Sequence, residues 1–262
     1  VRSNPAVPLA RCPFCGGAAV SVLELPEHQI VACLQCHIAR TEPPPQLVDY
    51  ELGDFHGVFS YRTAAELPCF WRRSLDMQRD LLRRHLGPGA RILEIGCGRG
   101  LLLRHLRDAG FDVSGIEPSR NACKVAVDDG LHVRHGYFSR VTVNDGPFDA
   151  VVASHVLEHV EEPGLFIDDI AAVAPRGLLL LVQANWRGWV PRKNKGLWHA
   201  WAQGHHYWHF TPPGMSHWLE GHKIKRVELE YSSLEHGTYW LARVAQLFPR
   251  AGDQFHLLSR LP

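Results

Sequence analysis

The stretch that most constrains the fold runs from Ala90 to Ser119. Residues 90–95 form an apolar run that delivers Glu94-Ile95-Gly96-Cys97-Gly98-Arg99-Gly100. Residues 101–109 then read as a helix ended by Gly110, and residues 111–116 form a second apolar run closed by Glu117-Pro118-Ser119. This predicts a βαβ unit, whose two strands lie parallel in one sheet because a crossover joins them. Glycines at the first turn let backbone approach a ligand with no Cβ in the way. A carboxylate at the tip of the second strand can accept hydrogen bonds from both hydroxyls of a ribose. The dinucleotide fingerprint G-x-G-x-x-G is not met, because the third glycine comes one residue early and Leu101 takes its place. Glu94, two residues before the first glycine, would repel a pyrophosphate and attract a cationic or amino-bearing ligand.

That combination resembles motif I of the class I S-adenosylmethionine-dependent methyltransferases, with Gly115-Ile116-Glu117-Pro118-Ser119 as the following motif. Residues 148–160, containing Ser154-His155-Val156-Leu157-Glu158-His159, resemble the family's fourth strand and the turn after it. Pro163, Leu165, Ile167 and Ile170 start the next helix, and residues 177–184 form strand five. The resemblance spans about residues 60–262 and is nearest to the small-molecule branch that includes ubiquinone-biosynthesis enzymes. It implies an α/β fold: a Rossmann-like seven-stranded sheet with helices on both faces. It further implies a small-molecule acceptor and S-adenosylmethionine. Gly96, Cys97, Gly98 and Gly100 would line the methionine part of the cofactor, and Glu94 would reach its amino group. Glu117 would bind the ribose, with Pro118 beside the adenine. Tyr137 or Phe138, where the family often has an acid, would stack on the adenine. Ser154 and His155 would flank the transferred methyl group.

Four of the seven cysteines form two pairs, Cys12-Pro-Phe-Cys15 and Cys33-Leu-Gln-Cys36. This spacing is that of a zinc ribbon, since a two-residue gap lets both thiolates of a knuckle face one ion. A segment this small has little core, so structural zinc is expected to supply much of its folding energy. Cys69, Cys97 and Cys123 are scattered and are read as ordinary thiols. With no signal-like apolar segment at the start, they suit a cytoplasmic setting. The sequence divides into a ribbon (1–45), a linker with a helix over about 64–85 (46–86), and a methyltransferase domain (87–262).

Six of the eight tryptophans (Trp186, Trp189, Trp198, Trp201, Trp208, Trp218) and five histidines (His199, His205, His206, His209, His217) fall within residues 186–220. This window follows strand five, on the side where such sheets bind ligands. Most of the tryptophans are expected to pack as the small core of an insertion. Histidine is the side chain suited to removing a proton near pH 7, which makes His209 or His206, and then His155, the expected catalytic base. His155-x2-Glu158-His159 also departs by one residue from the E-x2-E-H with which some ubiquinone-type and small-RNA methyltransferases hold a divalent ion.

With 28 Lys plus Arg against 27 Asp plus Glu, the net charge of +1 argues against a surface built to coat nucleic acid. The alternative of an RNA-modifying enzyme rests on the patch Arg187, Arg192, Lys193 and Lys195 and on the ribbon as a docking element. A carrier or partner protein is the other ligand expected of the ribbon. No apolar run is long enough to span a bilayer.

Overall fold

The computed structural model describes residues 10–46, 49–51, 61, 64–202, 205–232 and 252–262. Residues 1–9 of the ribbon, Gly204, and the side chains of Cys69, Lys195 and His199 lie outside the described residues. The N-terminal segment forms four antiparallel strands in chain order, β1 (Ala10–Arg11), β2 (Ala18–Glu24), β3 (Gln29–Cys33) and β4 (Ala39–Glu42). The helix expected over 64–85 is divided at Pro68. A 3-10 turn covers Ala64–Glu66, and α1 (Cys69–His85) starts afresh behind the proline, which has no N–H to continue a helix.

The βαβ unit appears as β5 (Arg91–Ile95), α2 (Leu101–Asp108) and β6 (Asp112–Glu117). It is followed by α3 (Arg120–Asp128), β7 (Val133–His135), β8 (Ala150–Ser154), α4 (Pro163–Val173) and β9 (Leu178–Ala184). Then come α5 (Trp189–Asn194), α6 (His199–Ala202), β10 (Trp208–His209), α7 (Pro212–Gly221), β11 (Lys225–Ser232) and β12 (Gln254–Arg260). Seven strands form one sheet in the order β11-β12-β9-β8-β5-β6-β7. It is parallel from β9 to β7, and β12 runs antiparallel to both its neighbours. Strand order reverses between β5 and β8, the place where open sheets of this kind leave a crevice for a ligand.

The central strands are buried on both faces, so they read as continuous apolar runs such as Leu178-Leu179-Leu180-Leu181-Val182, all fully buried. Alternate residues then serve opposite cores. Ile92, Val152 and Leu180 pack with Leu81 and Leu82 of α1, Leu103 and Leu106 of α2 and Ala126 of α3. Leu93, Val151 and Leu179 pack with Ile167 and Ile170 of α4 and Met215 and Leu219 of α7. Helices cover both faces.

The ribbon does not stand apart. Its sheet has a fifth strand, β10, which pairs antiparallel with β4 in the register Trp208↔Arg40 and His209↔Ala39. The edge where a foreign strand could add is therefore occupied by the same chain. Beneath it Ile30, Ala32 and Ala39 pack on Trp198, Ala200 and Trp201, while Phe14 meets Trp208, Phe210 and Trp218 edge-on. Much of the tryptophan surplus is the core of this seam. Among the described residues, no helix is long and apolar enough to cross a membrane.

Candidate active site

A cavity of about 510 Å³ opens at the C-terminal ends of β5 and β8. At one end lies the glycine loop, represented by Gly96, Cys97 and Gly98; at the other lie Ser154, His155, Glu158, His159 and His206. Gly96 has φ 67°, and a Cβ there would stand 2.7 Å from Val156 Cγ2, so only glycine carries the chain through. Gly100, the left-handed residue before α2, is closed off in the same way by Leu131 Cδ1 at 2.2 Å.

Two carboxylates face this loop. Glu117 accepts hydrogen bonds from Gly98 N and Ser119 N, both at 2.7 Å, which ties the loop to the tip of β6. Glu94 is 5% exposed, and its Oε2 is buried with no hydrogen-bond partner. Burial, and then the charge of Glu117, push the Glu94 carboxyl well above the usual carboxylate range. An orphaned acid beside a second acid is a costly arrangement, and a ligand's ammonium group would relieve it. Burial likewise pushes the Cys97 thiol up, which makes it a poor nucleophile.

The opposite end is histidine-rich. His155 follows β8 with φ 54°, a left-handed conformation uncommon for a residue with a side chain. Its Nδ1 lies 3.2 Å from Glu158 Oε1 and its Nε2 2.8 Å from Gln254 Oε1. Both nitrogens thus face acceptors. Burial pulls the His155 pKa down, but the hydrogen bond and charge of Glu158 outweigh it and leave the value raised. Burial alone would raise Glu158, yet His155, with His159 and His206 nearby, holds it well below the usual range. Gln254 is itself fixed, its Nε2 donating to Ser74 Oγ and Ser232 Oγ at 2.8 Å.

His206 differs. Its Nδ1 is 3.0 Å from the Ala200 carbonyl, which assigns the proton to that nitrogen and leaves Nε2 as the bare one. Burial and the neighbouring His159 bring its pKa down to about 3, so the ring is neutral at pH 7. His159, also lowered by burial, has Nδ1 against Tyr50 Oη at 2.8 Å and stacks on His205 at 5.1 Å. One ring nitrogen from each of His159, His205 and His206 lies within 4.8 Å of the others, a set able to share a cation. The set suggested by the sequence motif does not converge, because His155 and Glu158 are engaged with each other and with Gln254.

His209 is not in the cleft. It is 5% exposed inside the seam, its Nε2 3.0 Å from Thr41 Oγ1 and its ring against Trp201. Two residues on, Thr211 caps α7 by accepting from Gly214 N. The residue that reaches the cleft, however, lies three positions before His209. Tyr137 and Phe138 do not line the cavity either: Tyr137 is 56% exposed, and Phe138 packs edge-on against Phe166 at 5.4 Å. Pro118 sits beside β7, its carbonyl 3.1 Å from His135 Nε2. Arg187 and Lys193 of the basic patch lie over the rings of Trp186 and Trp189. Trp71, Ser74, Gln78 and Gln254 were missed by sequence reasoning. They come from α1 and β12, and no local motif marks them.

In the ribbon, the sulfurs of Cys12 and Cys36 are 3.6 Å apart and those of Cys15 and Cys33 3.5 Å, and all four converge. Tetrahedral zinc at 2.3 Å from each sulfur requires separations of about 3.8 Å, far beyond a disulfide bond. Gln35 N and Cys36 N point at Cys33 Sγ, at 3.3 and 3.4 Å, as donors to a thiolate. The donor set fits zinc. A second groove, about 810 Å³, lies between Phe14, Trp208 and Trp218 and carries none of the predicted cofactor residues.

A family model described as a methyltransferase domain matches residues 66–225. The chain is similar to the ubiquinone biosynthesis O-methyltransferase of Maricaulis maris, 33% identical over 148 residues, covering 45% of this chain and 58% of the relative. It is also similar to the enzyme of that name from a Caulobacter species, 32% identical over 140 residues, covering 50% and 53%. The chain thus spans about half the length of the curated relatives it matches. Among solved structures, the fold is similar to magnesium protoporphyrin IX methyltransferase of Synechocystis with bound S-adenosylhomocysteine. There the TM-score is 0.53 at 20% identity, covering 72% of this chain and 83% of the other. It is similar too to an S-adenosylmethionine-dependent methyltransferase of Mesorhizobium loti, with TM-score 0.51 at 18% identity, covering 71% and 99%.

Proposed function

The chain belongs to the methyltransferase-domain family, and from that premise we propose that it transfers a methyl group from S-adenosylmethionine to a small-molecule acceptor. The observation that carries this reading is the pair of acids at the glycine loop. Glu117 stands at the tip of β6, where a carboxylate suits a ribose diol, and the partnerless oxygen of Glu94 suits an ammonium group. S-adenosylmethionine presents both groups, together with a sulfonium whose methyl would point toward Ser154 and the histidine end.

Methyl transfer from a sulfonium is an in-line displacement, so the protein's part is to position the two reactants and exclude water. Where the acceptor is a hydroxyl, its proton must leave. His206, in the cleft and bare at Nε2, is the ring placed to accept that hydroxyl's hydrogen bond and orient it as the proton leaves, a weak base because of its burial, whereas His155 has both nitrogens engaged and His209 is out of reach. The curated relatives are named O-methyltransferases, which makes a phenolic hydroxyl the acceptor class to assay first. Zinc on Cys12, Cys15, Cys33 and Cys36 is structural in this reading.

Isothermal calorimetry with S-adenosylmethionine tests the assignment. Glu117→Ala removes a charged acceptor of two hydrogen bonds and is expected to weaken binding about 10–100-fold. Unchanged affinity in that variant would overturn it.

A further inference from the structure

The seam between ribbon and cleft is unusual in what it holds. Residues 205–210 are fastened on both sides. On the domain side Tyr207 N donates to Glu158 O at 2.8 Å, Trp208 Nε1 donates to Val160 O at 2.8 Å, and Phe210 bridges to Asn185. On the ribbon side Thr41 N donates to Tyr207 O at 3.0 Å, and the Thr41 hydroxyl lies 2.7 Å from His206 O and 3.0 Å from His209 Nε2. A hydroxyl has one proton. Given to the His206 carbonyl, it leaves Thr41 Oγ1 as an acceptor, and His209 must then supply its Nε2–H. That fixes His209 as the neutral Nε2–H tautomer and makes a directed chain, His209 to Thr41 to the His206 peptide.

We infer that the ribbon backs the segment that closes the acceptor end of the cleft, and that Thr41, braced by His209, is the positioning residue that sets the His206 imidazole toward the cavity. The inference rests on the proposed role of His206. It gives His209 a task other than catalysis and accounts for a ribbon fused to this domain without any external partner. Every atom in the chain is buried, Thr41 being 6% and His206 9% exposed, so no water can replace a missing link cheaply.

The test uses the full chain labelled at histidine with nitrogen-15, with S-adenosylhomocysteine as the probe of the glycine end. Thr41→Val keeps the volume and removes the hydroxyl; Thr41→Ser keeps the hydroxyl. In Thr41→Val the imidazole signals of His206 and His209 should both move and amide exchange at Tyr207 and Trp208 should quicken at least tenfold. Affinity for S-adenosylhomocysteine should stay within twofold. Thr41→Ser should restore the wild-type signals. An unmoved His206 signal in Thr41→Val, or a parallel loss of S-adenosylhomocysteine binding, overturns the inference. If Thr41→Val does not fold, His209→Gln, whose amide can still donate, should keep the His206 signal and His209→Leu should shift it; equal behaviour of the two overturns it as well. Failure of the wild-type chain to bind S-adenosylhomocysteine would sink methyl transfer and leave the imidazole readout standing.

Discussion

The two ends of the cleft are built by opposite strategies. The glycine end comes from one continuous stretch, β5 to the start of α3, so neighbours in space are also near neighbours in sequence. The histidine end is assembled from the turn after β8, the segment before α7, α1 and β12, with the ribbon behind it. Gln254 and Ser74 bond across 180 positions, and Thr41 and His206 across 165. A local site tolerates trouble elsewhere in the fold; an assembled one inherits it.

The strongest way to break that comparison is to remove the metal proposed for the ribbon. Cys33→Ser should forfeit metal-linked folding energy on the order of 10 kcal/mol. In hydrogen exchange it should release β1–β4 together with residues 205–210, while the amides of β5 and β6 stay protected. Uniform exchange across both ends would show that the division is false. Next in size is His206→Ala, expected to lower turnover with a phenolic acceptor about 10²–10⁴-fold while calorimetry finds S-adenosylmethionine affinity unchanged.

Acidification should separate the ends more gently. Folded His206 and His256 have pKa values brought to about 3 by burial, against 6.5 unfolded. The unfolded chain therefore binds protons first, and stability should fall as pH drops from 6.5 toward 3, by roughly 1 kcal/mol per pH unit for each. His155 has the opposite sign. Its raised pKa contributes stability below 6.5 that is lost as pH rises through the folded value. Urea unfolding at pH 7.5 and 5.5 measures the balance, and His256→Gln isolates one ring: a variant that keeps the wild-type difference between the two pH values would contradict that ring's neutral burial. The smallest effect belongs to Glu94→Gln. Removing a buried carboxyl that lacks a partner should raise the melting temperature by a few degrees, corresponding to about 1 kcal/mol. The same change should weaken S-adenosylmethionine binding several-fold.

This division explains what could be read from the residues alone. The parallel sheet, the glycine loop and the placing of Glu94 and Glu117 beside it were legible, because period, turn and acid fall within one window. The four cysteines were legible for the same reason, two short knuckles at fixed spacing. His209 and His206 were offered together because the run 204–210 carries three histidines, and sequence does not say which way an edge strand presents them. Pairing with β4 decides it, turning His209 into the seam. Tyr137 and Phe138 were misplaced on a similar ground: an aromatic pair after β7 says nothing of whether it meets a ligand, solvent or Phe166. The tryptophans were legible as packing, but not as packing against the ribbon.

The fifth strand of the ribbon sheet also sets a timetable. A chain leaving the ribosome offers β1–β4 first, yet their sheet stays one strand short until Trp208 of β10 meets Arg40, 168 positions before it, after nearly the whole parallel sheet has been made. Closing so long a loop is slow compared with the local pairing of β5, α2 and β6. The cofactor end can therefore be in place while the acceptor end is still open, and a newly made chain acquires its donor site before its acceptor site.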